Sequence, residues 1–199
     1  MLEHQTRLHN LITRGGFEAR VALYQEDEMN RILERPADHL SESTERRIAH
    51  VAEELVRYLL FSGEAELEAP VRGTTSFAEE FAARGPRDRR GRSLRDFDLE
   101  RRLFRYPLSY LIYSESFAAL PGAVRDVVLG RLGEVLSGAD RSEAFGHLTT
   151  EDRRTIREIL VETLDDVPEP WKTRRRLRAS RARHALPCSD SVCQRGAES

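Results

Sequence analysis

Between Ser41 and Gly63 the chain places Ile48, Val51, Ala52, Leu55, Val56, Leu59 and Leu60 at spacings of three and four. That period matches one face of an α-helix; a half-buried strand would instead alternate apolar and polar residues. Ser41 or Ser43 can cap the start of the segment, and Gly63 supplies a stop. A helix with one apolar and one charged face is stable only when the apolar face packs on neighbours of the same kind. The spacing therefore predicts a helix over residues 44–62 at the centre of an all-α bundle.

The flanking sequence supplies the neighbours. Residues 2–34 read as helix interrupted at Gly15-Gly16, with Phe17, Val21, Tyr24, Met29 and Ile32 as its buried face and Pro36 as its stop. Ser76 and Glu79 form a capping-box pattern ahead of FAEEFAAR, in which Phe77 and Phe81 face the same way. Residues 87–96 lack a hydrophobic period and read as loop. Helix is expected to resume near Asp98, to kink at Pro107 and to continue through Tyr113. Pro121 opens another helix, with Val124, Val127, Val128, Leu132, Val135 and Leu136 inward and Gly138 at its end. The last helix starts at Thr149 or Thr150, is stapled by Leu148, and buries Ile156, Ile159, Leu160 and Leu164. No sustained alternation, hairpin dipeptide or repeat is visible. The expected architecture is an irregular bundle of five or six helices over residues 1–171, with an Arg-rich loop and a disordered tail over 172–199.

Charge is divided along the chain. Residues 172–199 hold eight basic residues against Asp190 and Glu198, a balance of +6 that leaves −8 on residues 1–171. Few apolar side chains accompany that charge, so the tail has little to bury against the entropy of ordering. Its RRRLRASRAR stretch lacks interleaved aromatic residues, so nucleic-acid binding is disfavoured and would be non-specific and salt-sensitive. Cys188 and Cys193 also lie in the tail, at a C-x4-C spacing with no second pair to complete a zinc site. No run approaches the roughly 20 apolar residues of a membrane-spanning helix. The N-terminus carries no signal-peptide core, which leaves a cytoplasmic location as the default.

The densest chemistry lies between Arg84 and Tyr113. Nine arginines stand against four acids up to Arg105, and an apolar segment with Tyr106, Tyr110 and Tyr113 follows. Three readings fit. The arginines can form local ion pairs on a solvated loop, as in Arg87-Asp88, Arg95-Asp96 and Asp98-Arg102. Arg92 or Arg95 can anchor the loop on a helix end or a buried carboxylate. Or Arg89, Arg90, Arg92 and Arg95, with Tyr106 and Tyr110 beside them, can hold an anion or a partner. The tyrosines would share one helix face if Pro107 permitted it, in the core or as a binding stripe.

Catalytic and metal motifs are missing. There is no GxxxxGK[ST], HExxH, GxSxG or SxxK, and no Glu-x-x-His ligand pattern. His4 and His9 are five apart, which does not align them on a helix, and His9 reads better as a capping or core residue than as a ligand. Adjacent acids such as Glu53-Glu54, Glu79-Glu80 and Asp165-Asp166 point apart on a helix. No catalytic residue and no metal ligand is assigned, and no cofactor motif is present.

The strings GRSLRDFDL and YPLSYLIYS, within a pattern running from GTTSFAEEFAARGP to HLTTEDRRTIREIL, together with LHNLITRGGFEARVALY, carry a resemblance. The chain resembles the C-terminal region of larger uncharacterised bacterial proteins associated with export and haem. The likeness covers most of residues 8–171. It implies that such a chain is the terminal portion of a longer protein, periplasmic if exported, with its export signal and any cofactor motif upstream. It implies no activity and no catalytic residues, and this chain has no C-x-x-C-H for haem attachment.

Dense charge without catalytic motifs leads to the expectation of a non-catalytic helical module that binds a protein partner or an upstream domain. One alternative is part of an enzyme or haem/electron-transfer protein, with Arg92, Arg95 and Tyr110 around an anionic ligand. The other is weak nucleic-acid binding through the tail.

Overall fold

The computed structural model describes residues 1–172, and they are all-helical, with no strand among them. The α-helices in chain order are α1 (Leu2–Ile32), α2 (Glu42–Leu59), α3 (Phe77–Ala83), α4 (Glu115–Ala118), α5 (Gly122–Ser137) and α6 (Thr150–Thr163). Short 3-10 turns lie at Tyr110–Tyr113 and Glu143–Phe145, and residues 169–172 are again helical. Helix α2 packs along both α1 and α5, and α6 packs on α5. The central place expected for α2 is therefore the one it takes.

The start of α2 is built from its own cap and from α1. Ser41 Oγ accepts from Thr44 N at 3.4 Å. The buried Glu26 carboxylate of α1 in turn accepts from Ser41 N at 3.1 Å, from Ser41 Oγ at 2.5 Å and from the Thr44 hydroxyl. These hydroxyls, Ser41 first, hold the Glu26 carboxyl below the ordinary carboxylate range against the opposing effect of burial. At the other side of the core, Thr149 and Asp152 form a reciprocal capping box on α6. Gly138 ends α5 in the left-handed conformation, φ 80°.

Helix α1 differs from expectation in two ways. It runs unbroken through Gly15-Gly16, and the buried face is Leu8, Ile12, Gly15, Gly16, Ala19 and Ala22, ending at Glu26 and Asn30. A Cβ on Gly15 would lie 2.5 Å from Val51 Cγ1, and one on Gly16 would lie 3.3 Å from Leu120 Cδ2. The glycines thus serve close approach to α2 and to the turn before α5, not a break. Small side chains go inward, and Phe17, Val21, Tyr24, Met29 and Ile32 are exposed. The register expected from the large apolar residues is therefore wrong.

Three further expectations are corrected. Residues 98–109 are not helical; Phe97 and Phe104 form an isolated antiparallel bridge, closed by Asp98 N to Leu103 O at 3.1 Å and Leu99 N to Arg102 O at 2.9 Å. Only Tyr110–Tyr113 turns, as 3-10, so Tyr106, Tyr110 and Tyr113 share no helix face. Ser76 makes no side-chain cap to α3; its hydroxyl bonds Glu80 instead. Val127 is exposed on α5, whereas Val124, Val128, Leu132, Val135 and Leu136 are buried as expected.

Candidate functional site

The arginine-rich segment becomes a loop pinned from within and from α6. Asp88, almost fully buried, accepts from the backbone N–H of Arg90 at 3.0 Å and of Arg92 at 2.9 Å. Its Oδ2 takes Arg92 Nε at 2.7 Å, and Arg92 Nη2 reaches on to Glu158 Oε2 of α6 at 3.0 Å. Burial works to raise the Asp88 carboxyl, but Arg92 and the backbone donors outweigh it and hold the group below its ordinary range. Arg90 Nη1 adds a second contact to Glu158 at 3.1 Å, and Arg89 gives its backbone N–H to Glu162 at 2.9 Å. Gly91, with φ 75°, allows the tight return between them.

The local ion pairs expected along the loop give way to others. Arg87 pairs with Asp96 at 3.2 Å and donates to Ala82 O at 3.0 Å. Arg102 pairs with Asp152 of α6 at 2.7 Å. Arg95 lies over two touching rings, its guanidinium carbon 4.6 Å from the Phe81 centroid and 4.4 Å from that of Tyr110. Ser93 and Arg95 crowd Gly85, where a Cβ would meet Ser93 Oγ at 2.5 Å.

The six residues singled out in the sequence are therefore divided. Arg89, Arg90 and Arg92 line a cleft of about 960 Å³ between the loop, the C-terminal end of α5 and α6. Arg95 lies over the Phe81 and Tyr110 rings, which meet edge to face, and neither Arg95 nor Tyr110 lines the cleft. Tyr106 is buried beside Arg105, whose guanidinium carbon is 5.8 Å from its ring centroid, and it too lies outside the cleft. Burial raises both tyrosine hydroxyls above their usual range.

Sequence reasoning missed the opposite wall, formed by Arg141, Arg154, Arg157 and Trp171. The one visible signal was the recurrence of arginine at positions 154 and 157, one helical turn apart on α6. Arg157 Nη2 donates to Pro170 O at 3.2 Å and Trp171 O at 3.1 Å, folding residues 168–172 back on α6. Buried Arg153 closes the base: it donates to Phe145 O at 2.8 Å, Asp140 O at 3.0 Å and Leu148 O at 3.3 Å, and also to Val135 O. It ties the last turn of α5, through Val135 O, to the connection that leads on to α6, through Asp140, Phe145 and Leu148 O. Leu136, Leu148 and Val161 give the cleft an apolar floor.

His4, His9 and His147 are drawn into packing, whereas His39 and His50 are exposed. His4 stacks on Phe61, centroids 4.4 Å apart, and on Tyr58 at 5.0 Å, with Nε2 2.9 Å from Ser109 Oγ. Burial pushes its pKa down to about 4. His9 Nδ1 lies 3.0 Å from Ser116 Oγ, and His147 Nε2 lies 2.7 Å from Leu60 O. Glu53 and Glu54 diverge, to Arg131 and Arg14 respectively. Among the described residues no group of three or more His, Cys, Asp or Glu is placed to hold a metal ion. No helix among them is long and apolar enough to cross a membrane. The cysteines and the basic stretch after Lys172 lie outside the described residues.

A second surface arises from the register of α1. Phe17, Val21, Tyr24 and Ile32 are 66, 38, 67 and 73% exposed, and their spacing of four, three and eight places them along one outward stripe. Arg14 and Arg31 flank it, held by ion pairs to Glu18 and Glu54 and to Asp27 and Glu28. No protein-family model, curated protein or solved structure matches the chain.

Proposed function

We propose that the chain is a non-catalytic helical module that docks on a protein partner or a neighbouring domain through the outer stripe of α1. The observation that carries this reading is the exposure of Phe17, Val21, Tyr24 and Ile32 along one face while the glycines and alanines of the same helix turn inward. Contiguous exposed apolar surface marks interaction sites more often than scattered single residues do. Aromatic residues in particular supply the anchors of protein interfaces. The helix is long enough for the purpose: 31 residues span about 46 Å at about 1.5 Å per residue. A place within a longer exported protein, as the resemblance implies, would make the neighbouring domain the natural occupant.

The test places a photo-crosslinking amino acid at position 21, on the stripe, and separately at position 127 on α5. The full chain is expressed in its own host. A discrete adduct from position 21, missing from position 127 and lost in Phe17→Ser/Tyr24→Ser with melting temperature unchanged, is the expected result. Equal adducts from both positions, or an adduct that survives the double substitution, rules the stripe out. A dimer in sedimentation that the same substitutions dissociate replaces the partner with a second copy.

A further inference from the structure

We propose that the cleft between the arginine-rich loop, α5 and α6 binds a small amphipathic anion: an acyl or aryl chain ending in a carboxylate or phosphate. Two features meet there. The floor is apolar, from Leu136, Leu148 and Val161, and the Trp171 indole adds apolar surface to the wall. Arginines converge on it from three elements, with Arg89 and Arg90 from the loop, Arg141 from the turn after α5, and Arg154 and Arg157 from α6.

The charge is out of keeping with the domain around it. Residues 1–171 carry a formal −8, yet the acids lining this hollow are Asp88, Glu158 and Glu162, outnumbered by the arginines. Asp88 and Glu158 are already engaged by Arg92, and Glu162 accepts the backbone N–H of Arg89. Clustered guanidiniums repel one another, and an anion seated among them relieves that cost while gaining charge-assisted hydrogen bonds.

The walls are braced rather than loose. Arg92 ties the loop to α6, and Arg153 is buried among the carbonyls of residues 135–148. Arg89 serves the fold through its backbone N–H, and Arg141 through a single bond from Nε to Gly138 O at 3.2 Å. Their exposed guanidiniums are the groups a ligand would meet first. A volume of about 960 Å³ falls at the upper end for small-molecule sites, which typically have few polar groups over an apolar lining. Inorganic phosphate alone would leave the floor wet. The +6 of residues 172–199 makes that segment a poor occupant of a basic hollow.

Trp171 is the only tryptophan, so its fluorescence reports on this cleft alone. The full chain is titrated with decanoate below its micelle-forming concentration, with decanol, with inorganic phosphate and with phosphatidylglycerol vesicles. Saturable change with decanoate is expected, with decanol and phosphate each weaker by about tenfold or more, as charge assistance and apolar burial each contribute. Arg89→Glu/Arg141→Glu is expected to weaken decanoate by about tenfold or more at an unchanged melting temperature. If that pair does not fold, Arg89→Gln and a salt titration of the wild type take its place, and affinity must fall in both. Equal binding of decanol, affinity indifferent to the substitutions and to salt, phosphate binding as tightly as decanoate, or a response to vesicles without one to free decanoate each overturns the assignment.

Discussion

Trp171 lies so close over Gly133 of α5 that a Cβ on the glycine would sit 2.4 Å from the indole Nε1. The contact joins the last described turn to the middle of a core helix, and it makes a wall of the cleft depend on one missing methyl group.

Helix propensity alone favours Gly133→Ala by about 1 kcal/mol. The clash reverses the sign, because seating the methyl group expels a buried indole, whose burial is worth about 1.5–3 kcal/mol. A lower melting temperature and red-shifted tryptophan emission are expected. Gly130, one turn earlier, is exposed and has nothing within 4 Å of an added Cβ. Gly130→Ala should therefore raise the melting temperature, gaining about 1 kcal/mol. Thermal melts of the two variants, followed by fluorescence, separate packing from propensity within a single helix. A rise in both would show that the indole is not held there.

Arg92→Met should release the loop while leaving the bundle intact. The Asp88 carboxylate, its side chain 1% exposed, would lose its charged partner, at a cost of about 3 kcal/mol for breaking a buried pair. Amide exchange over residues 87–96 is expected to accelerate, with α2 still protected. The sign with pH follows from Asp88. Its folded pKa is depressed, so it stabilises the fold above the unfolded value of 3.8 and loses that contribution as pH falls through the folded pKa. Without the Arg92 guanidinium only the two backbone donors oppose burial, so the folded pKa moves up and acid unfolding should begin at a higher pH. An unchanged acid midpoint would mean that the pair does not anchor the loop.

His4 gives a second pH signature. Its folded pKa, lowered to about 4 from 6.5, means that the unfolded chain takes up the proton first as the solution is acidified. The stability it confers is complete above pH 6.5 and is lost progressively between pH 6.5 and 4. Nuclear magnetic resonance titration of the imidazole should show no protonation near pH 6. His4→Phe, which keeps a ring against Tyr58 and Phe61, should flatten the fall of melting temperature across that window. An imidazole titrating near 6.5 in the folded protein would contradict the packing described.

Local signals proved readable where one short segment carried both the pattern and its stop. Helix α2 has Ser41 at its cap and a single apolar stripe, and α5 ends at a left-handed Gly138. Helix α1 was harder because two stripes of the same period compete. One is large and apolar through Phe17, Val21 and Tyr24; the other is small through Gly15, Ala19 and Ala22. Period alone does not say which faces the core, and the large residues suggested the wrong one.

Residues 98–113 misled for a related reason. Their apolar and aromatic content suits a helix, yet Phe97 and Phe104 pair across a turn, with ring centroids 5.3 Å apart, and Phe81 and Tyr110 close around them. Within the arginine-rich loop, Asp88 was expected to pair with its neighbour Arg87, but it pairs with Arg92 four residues on, and Glu158 lies 66 positions from Arg92. Arg141, Arg154 and Trp171 enter the same cleft from segments with no motif in common.

The amino-acid sequence by itself determined the all-helical class, the central helix and most helix ends, because caps and apolar periods act within a few residues. Which face of α1 turns inward, which arginines are consumed by carbonyls and carboxylates, and which are left around an apolar hollow were decided only in three dimensions. Close approach of backbones and burial of charge depend on partners that the chain brings together from distant positions.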